Sequence, residues 1–247
     1  MTEEQLKQIV LRRHIGVIMD GNGRWAQKRG LERPEGHKAG ANVFRNICTY
    51  GADLGIEVMT FYAFSTENWK RPPKEVAAIM NLFRDYLDEA NSREGENERR
   101  GLRFHLIGEK DGLPEDIVSL LDTLEKNSAD KNVMTVNLAI NYGGRDEILH
   151  SVKEIAKKVQ SGEINPDDLT EDDIGNNLFT AGQPDPDLII RPSGEYRLSN
   201  FMIWQSAYTG FWYSDILWPD FTTDDLDTAI LDFCRRNRRF GGVEPVK

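Results

Sequence analysis

Cysteine is scarce. The 247 residues hold two, Cys48 and Cys234, far apart and without metal-ligand spacing. That excludes a disulfide framework or a zinc module and points to a reduced compartment. Long apolar runs are missing too; none approaches the roughly 18 residues that a membrane span needs. Residues 1–13 are polar and charged, so no signal peptide is expected there and a cytoplasmic location is. Basic charge is in deficit. Against 41 Asp and Glu stand 31 Lys and Arg, a net charge of −10, the wrong sign for general nucleic-acid binding. No internal repeat or low-complexity stretch occurs. What is there suffices for a core: 39% of residues are hydrophobic. The length suits one α/β domain over 1–247, with a polar segment 1–13 and a basic tail 236–247.

The most informative stretch is His-Ile-Gly-Val-Ile-Met-Asp-Gly-Asn-Gly-Arg-Trp (14–25). The apolar run Ile15 to Met19 fits a strand buried on both faces of a parallel sheet. It ends on an acid, Asp20. Gly21-Asn22-Gly23 then allows a sharp turn and close approach of a ligand. Arg24 and Trp25 lead into a helix. A carboxylate, a Gly-rich turn and a helix start make an anion site; the competing reading is a plain strand-to-helix turn capped by a surface Asp. It is not a Walker loop, since no Gly-Lys-Ser/Thr follows, nor the dinucleotide fingerprint, whose third Gly is missing.

The rest of the chain repeats this theme. Leu31 to His37 reads as a loop broken by Pro34 and Gly36, carrying Arg33 and His37. Lys38 to Leu54 is an amphipathic helix stopped by Gly55. Val58 to Phe64 is a second strand, which ends in Ser65-Thr66-Glu67-Asn68-Trp69-Lys70-Arg71. The connecting helix implies a right-handed crossover and a parallel pair. Ser65, Asn68 and Arg71 therefore share a sheet edge with Asp20, as ligand groups or as a capped turn. Lys74 to Ala90 is a helix with Val76, Ile79, Met80, Phe83 and Leu87 on one face, either core or the wall of a groove for a hydrocarbon tail. Asn91 to Gly101 is a charged helix end or loop. Leu102–Ile107 and Val133–Ile140 are strands, Asp116–Lys126 and Glu147–Gln160 helices. Between them Asn141 to Asp146 forms a further Gly-rich turn, whose Arg145 and Asp146 either pair or support the site. Thr170 and Asp173 form a capping box for a helix over 171–179. Leu188 to Ile190 is a short strand, followed by Arg191, Ser193, Arg197 and Ser199. These form an anion clamp, or salt bridges to Glu195 and neighbouring acids. Phe201 to Pro219 is rich in aromatics, divided between core and subunit interface. Asp224–Arg235 is the last helix.

Taken together the strand-end segments resemble one family. Residues 14–26, Gly-His-Lys-Ala-Gly (36–40), Thr-Phe-Tyr-Ala-Phe-Ser-Thr-Glu-Asn-Trp-Lys-Arg-Pro (60–72), Asn-Tyr-Gly-Gly-Arg (141–145), Asp-Leu-Ile-Ile-Arg-Pro-Ser-Gly-Glu-Tyr-Arg-Leu-Ser-Asn-Phe (187–201) and Leu-Trp-Pro-Asp-Phe (217–221) are similar to the bacterial cis-prenyltransferases of the undecaprenyl diphosphate synthase type. The resemblance implies an α/β fold with a central, mostly parallel sheet flanked by helices, an apolar tunnel and a homodimer. It implies repeated addition of isopentenyl diphosphate to an allylic diphosphate such as farnesyl diphosphate, with Mg²⁺, and peripheral contact with the inner face of the membrane through the lipid product. The Asp-Asp-x-x-Asp motif of trans-type synthases is absent, as the family requires.

By matched position, Gly21, Asn22, Gly23, Arg24, Trp25, Arg33 and His37 would bind the allylic diphosphate. Asp20 would be catalytic and hold Mg²⁺. Ser65, Thr66, Glu67, Trp69 and Arg71 would border the reacting carbons beside catalytic Asn68. Arg191, Arg197, Leu198 and Ser199 would bind isopentenyl diphosphate. A neutral amide is a weak base, so Asn68 is expected to position the proton acceptor rather than be it. One position departs from the pattern: Gly210 stands where the family has a Glu taken as a second Mg²⁺ ligand, which predicts weaker Mg²⁺ affinity or lower activity. That gap keeps a weakly catalytic partner subunit as an alternative, beside a short-chain cis-synthase. Ile79, Phe83, Val136 and Leu138 are pattern-based candidates for closing the tunnel.

Overall fold

The computed structural model describes residues 14–92 and 100–236; segment 1–13, residues 93–99 of the charged stretch and the tail from Asn237 lie outside them. Six strands form one sheet: β1 (His14–Ile18), β2 (Val58–Ser65), β3 (Leu102–Ile107), β4 (Met134–Tyr142), β5 (Leu188–Arg191) and β6 (Gly210–Tyr213). Their order is β3-β4-β2-β1-β5-β6, and every pairing is parallel. The expected mostly parallel sheet is thus wholly parallel. The helices are α1 (Asn22–Lys28), α2 (Arg33–Leu54), α3 (Pro73–Ser92), α4 (Glu115–Ser128), α5 (Gly144–Gln160), α6 (Glu171–Gly175) and α7 (Thr223–Arg235). Parallel strands put all their carboxyl ends on one edge, and β1 is where the strand order reverses. Open α/β sheets bind ligands at that point.

Both faces are covered, so the strands are apolar nearly throughout. On one face Ile15, Val17, Phe61, Phe64, Val136, Leu138 and Ile140 meet the helices in the larger core. On the other, Ile18, Tyr62, Ala139 and Tyr142 meet Phe201 and Met202. β4 therefore does not alternate between a buried and an exposed face.

Three expectations need correction. The predicted loop 31–37 is mostly helix, because α2 begins at Arg33 with Pro34 in its first turn. There the missing N–H of proline costs nothing. Gly36 is not a breaker. A Cβ on it would lie 2.0 Å from the Asn22 carbonyl oxygen, and one on Gly40 would lie 2.3 Å from Asn22 Oδ1. The two glycines, one turn apart, let α1 seat directly on α2. Second, α6 ends at Gly175 rather than 179, although its capping box forms, with Asp173 Oδ2 accepting from the Thr170 N–H at 2.8 Å. Third, Gly210–Tyr213 in the aromatic segment is the edge strand β6. The end of the last helix is also fixed here: Arg236 donates to the Phe211 carbonyl at 2.6 Å.

A buried polar strip crosses the second face near the amino ends of the strands. The His14 ring contacts the Pro184 carbonyl through Nδ1 and the Thr60 hydroxyl through Nε2, each at 2.7 Å. A carbonyl only accepts, so Nδ1 carries the hydrogen and Nε2 accepts from Thr60. The Asn137 amide donates to the same hydroxyl at 2.9 Å and to Gln183 at 2.6 Å. Burial lowers the His14 pKa to about 4, against smaller raising effects of Pro184 and Asp187. The folded state therefore prefers neutral His14, and the unfolded chain binds the proton first. Stability from this group is complete above about pH 6.5 and falls as the pH drops toward 4. From pH 6.5 to 5 the loss is about 2 kcal/mol. Denaturant unfolding across that range should show the midpoint falling, with a smaller fall in His14→Gln; a flat profile contradicts the network.

Candidate active site

Asp20 follows β1 and Arg191 ends β5. These strands are hydrogen-bonded neighbours, so the two side chains meet: Arg191 Nη2 donates to Asp20 Oδ2 at 2.9 Å. The Gly21 N–H donates to Asp20 Oδ1 at 2.6 Å, made possible by a left-handed Gly21, φ +102°. Arg24 lies 3.3 Å from the same oxygen. Burial alone would raise the Asp20 pKa. Hydrogen bonds from Arg191 and Ser193 and the charges of Arg191 and Arg24 outweigh it, so the carboxyl titrates below its usual range. Arg191 is 3% exposed. It also donates to Ser199 Oγ at 2.7 Å and to the Arg197 carbonyl, while its Nε finds no protein partner.

Arg24 is held across the same gap, donating to the Ser193 carbonyl at 2.8 Å and its hydroxyl at 2.7 Å. Arg197 pairs with Glu195. The salt-bridge reading of this loop is thus seen at both arginines, Arg191 on Asp20 and Arg197 on Glu195, and both also line the cavity described below.

A second cluster forms where α2 meets α3. Glu75 takes Arg33 at 3.2 Å and Arg71 at 3.0 Å. The Arg33 guanidinium packs on Gly23, where a Cβ would stand 2.9 Å from Arg33 Cζ. His37 is half-buried beside them, with its Nε2 buried and unpartnered. Burial, reinforced by the Arg71 and Arg33 charges and opposed by Glu75, lowers its pKa to about 4, so it is neutral at pH 7.

The turn after β2 is a 3-10 turn (Thr66–Lys70) closed by a capping box. Asn68 Oδ1 accepts from the Ser65 N–H at 3.1 Å. One lone pair of this carbonyl is therefore engaged, and the NH₂ is a donor that can meet a ligand.

These groups surround the mouth of a cavity of about 770 Å³. Asp20, Asn22, His37, Ser65, Glu67, Asn68, Arg71, Arg191, Arg197 and Ser199 line it. Much of the remaining wall is apolar, from Phe44 and Cys48 of α2, Ile79, Phe83 and Leu87 of α3, and Phe64, Leu138 and Ile140 of the sheet, with Arg100 and the Arg45–Glu89 ion pair also on the lining. Burial raises the Cys48 thiol pKa, so it is a wall and not a nucleophile. Of the pattern-based tunnel residues, Val136 belongs to the core and not the wall.

Several predicted residues are placed elsewhere. The Trp25 indole donates to Asp220 at 2.7 Å and stacks under Arg29. The Trp69 indole donates to Asn141 at 2.7 Å, and Leu198 packs on the smaller core. Thr66 donates to Asp146 at 2.9 Å, so Asp146 serves the turn. Gly21, Gly23, Arg24 and Arg33 are outside the lining of this cavity, with Arg24 bonded to Ser193 and Arg33 to Glu75. Sequence reasoning missed Glu75, whose signal was its helical spacing from Arg71, and Ser193 as the anchor of Arg24. The Gly210 position also gains a physical account: a Cβ there would lie 2.9 Å from the Phe233 ring, so α7 fills the space that a side chain would need.

A family profile described as "Putative undecaprenyl diphosphate synthase" matches residues 18–241. The chain belongs to the cis-prenyltransferase family. An isoprenyl transferase of Clostridium perfringens is 47% identical over 232 residues, covering 94% of this chain and 90% of the relative. Among solved structures, lavandulyl diphosphate synthase from Lavandula x intermedia, in complex with dimethylallyl diphosphate, superimposes on this prenyltransferase with a TM-score of 0.91. It shares 35% identity and covers 95% of this chain and 100% of the other. "A probable undecaprenyl diphosphate synthase" from Campylobacter jejuni gives a TM-score of 0.77 at 31% identity, covering 93% and 98%.

Arg191→Lys cannot reach Asp20, Ser199 and the Arg197 carbonyl in one fork. Losing one or two charged hydrogen bonds, about 2–3 kcal/mol, should lower the prenyltransferase kcat/KM about 30- to 150-fold. The acid limb of its pH profile should move upward, since Asp20 loses the group that most lowers its pKa. Unchanged kinetics would contradict this geometry.

Proposed function

We propose that this prenyltransferase adds isopentenyl diphosphate repeatedly to an allylic diphosphate, farnesyl diphosphate above all, giving a cis-polyprenyl diphosphate of undecaprenyl length. The observation that carries this reading is the two-part cavity: cationic and donor groups at the mouth, hydrocarbon walls behind. Such a site suits a diphosphate with a long apolar tail. Gly21, Asn22, Gly23, Arg24, Arg33 and His37 take the allylic diphosphate. Arg191, Arg197 and Ser199 take the isopentenyl diphosphate. Arg33 and Arg71 share Glu75, so they present less net charge than two free guanidiniums and can release product. Trp25, Thr66, Trp69 and Leu198 support the binding segments through the contacts described above.

Breaking the allylic C–O bond leaves negative charge on the departing diphosphate. Preorganised Arg side chains and backbone N–H groups stabilise it. Among the described residues no three His, Cys, Asp or Glu side chains gather as a metal cage. One carboxylate with free lone pairs, beside a diphosphate, is nevertheless a donor set that suits Mg²⁺, and Asp20 is ionised and open to the cavity. When bound there, Mg²⁺ supplies Lewis-acid stabilisation of the leaving group. Asn68, its carbonyl engaged by Ser65, directs its NH₂ to a diphosphate oxygen or water, and that oxygen takes the proton lost on condensation. With Gly210 in place of the family Glu, the single carboxylate gives the chain a weak affinity for Mg²⁺.

A homodimer accords with the exposed apolar residues Leu149, Val152, Ile203 and Tyr208, the first two one turn apart on α5. No helix among the described residues is long and apolar enough to cross a membrane. This fits an enzyme acting in the cytoplasm and meeting the membrane only through its product.

Incubation with farnesyl diphosphate, labelled isopentenyl diphosphate and a Mg²⁺ series tests the reading. A ladder ending near eleven units is expected, with activity rising into the millimolar range of Mg²⁺. Termination after one addition would favour the short-chain alternative, for which the likeness to lavandulyl diphosphate synthase is the specific support. No incorporation by protein that binds both substrates would leave the partner-subunit reading.

A further inference from the structure

We propose that Asn200 is a positioning residue that locks the Arg197–Ser199 loop to the turn carrying Asn68. The inference rests on the reading that this loop takes isopentenyl diphosphate, and it adds a residue assigned no role there. Every polar group of Asn200 apart from its own N–H is spent on joining segments. Its Nδ2 donates to Glu67 Oε1 at 2.8 Å, on the residue next to Asn68. Its Oδ1 accepts from the Arg145 N–H at 2.9 Å. Its carbonyl accepts from the Gly144 N–H at 2.7 Å. One side chain thus ties the end of β2, the start of α5 and the loop after β5.

The neighbouring backbone shows that this loop is held rather than relaxed. Ser199, Asn200 and Met202 have φ of 51°, 64° and 44°. Asn adopts the left-handed region readily, Ser and Met much less so. Strain of this kind persists where surrounding contacts over-determine it. The Tyr62 hydroxyl, at 3.3 Å from the Ser199 carbonyl, and the Gly143 site add to those contacts. A Cβ on Gly143 would lie 2.7 Å from both Asn200 Nδ2 and Thr66 Oγ1. Glu67 is held ionised: burial raises its pKa, but hydrogen bonds from its own N–H, Asn200 and Ser65 lower it further. The link is therefore a charge-assisted bond with a defined polarity, Asn donor to Glu acceptor. If the two halves slip apart, the two reacting carbons are no longer held in line, and small misplacements are costly in rate.

The polarity makes the proposal testable by reversal. Asn200→Asp keeps the acceptor for Arg145 but sets a carboxylate against Glu67. Its kcat/KM for isopentenyl diphosphate should fall about tenfold or more, while KM for the allylic diphosphate is unchanged. Adding Glu67→Gln restores a donor–acceptor pair with the direction swapped, and most of the loss should return. In the single variant, lowering the pH should also recover activity relative to the parent, because one shared proton rebuilds the bond. Glu67→Ala, which cuts the link from the turn side at an exposed residue, should show the same isopentenyl-specific loss and decides the matter if Asn200→Asp does not fold. Parental kinetics in Asn200→Asp or in Glu67→Ala, or a double variant no better than the Asp single, overturns the proposal. Arg197→Ala is the separate control: an unchanged isopentenyl KM there refutes the loop assignment itself.

Discussion

A buried guanidinium at the carboxyl edge of the sheet organises this molecule. Arg191 ends a fully buried strand and is only 3% exposed, so its charge must be met mainly by protein or ligand. Asp20, on the adjacent strand, supplies the opposite charge at 2.9 Å, and Ser199 and the Arg197 carbonyl fill two further donor positions. The Nε donor stays unfilled. Removing Asp20 would leave the buried Arg191 without its counter-charge, so the pair fixes where the loops after β1 and β5 lie. On the proposed reading, an anionic substrate completes that unfilled Nε donor.

The second constraint is the separation of polar mouth from apolar interior. Residues of α2 and α3 supply apolar walls of the cavity, and Arg33 and Arg71 near their first turns are neutralised through Glu75. His37 sits neutral among them because two nearby guanidiniums and burial both oppose its protonation. A diphosphate entering this cluster meets donors without meeting a large uncompensated charge. That arrangement suits a substrate that must bind, lose its diphosphate and move on by one unit.

Much of this was legible from the chain alone, for a definite reason. Short apolar runs such as Ile15–Met19 and Leu188–Ile190 mark strands buried on both sides. Parallel pairing then forces Asp20, Ser65, Asn68 and Arg191 onto one edge without any knowledge of side-chain positions. What local pattern could not supply was set by tertiary contact. Pro34 and Gly36 read as breakers, yet one sits in a first turn and the other is demanded by the Asn22 carbonyl. Trp25 and Trp69 read as site residues by position, but their indoles are claimed by Asp220 and Asn141. Asn200 lay beside recognised residues and carried no signal until its partners from distant segments were placed, while Glu75 carried only its spacing from Arg71. The edge strand β6 was hidden because its aromatic residues suit core, interface and strand equally well.

The most direct test of the account is a crystal structure with an unreactive thio analogue of farnesyl diphosphate. The account predicts the diphosphate among Asn22, Arg24, Arg33 and His37, beside Asp20, with the tail running between α2 and α3 past Phe44 and Phe83 toward Leu87. A diphosphate bound elsewhere, or a tail lying outside that cavity, would contradict it.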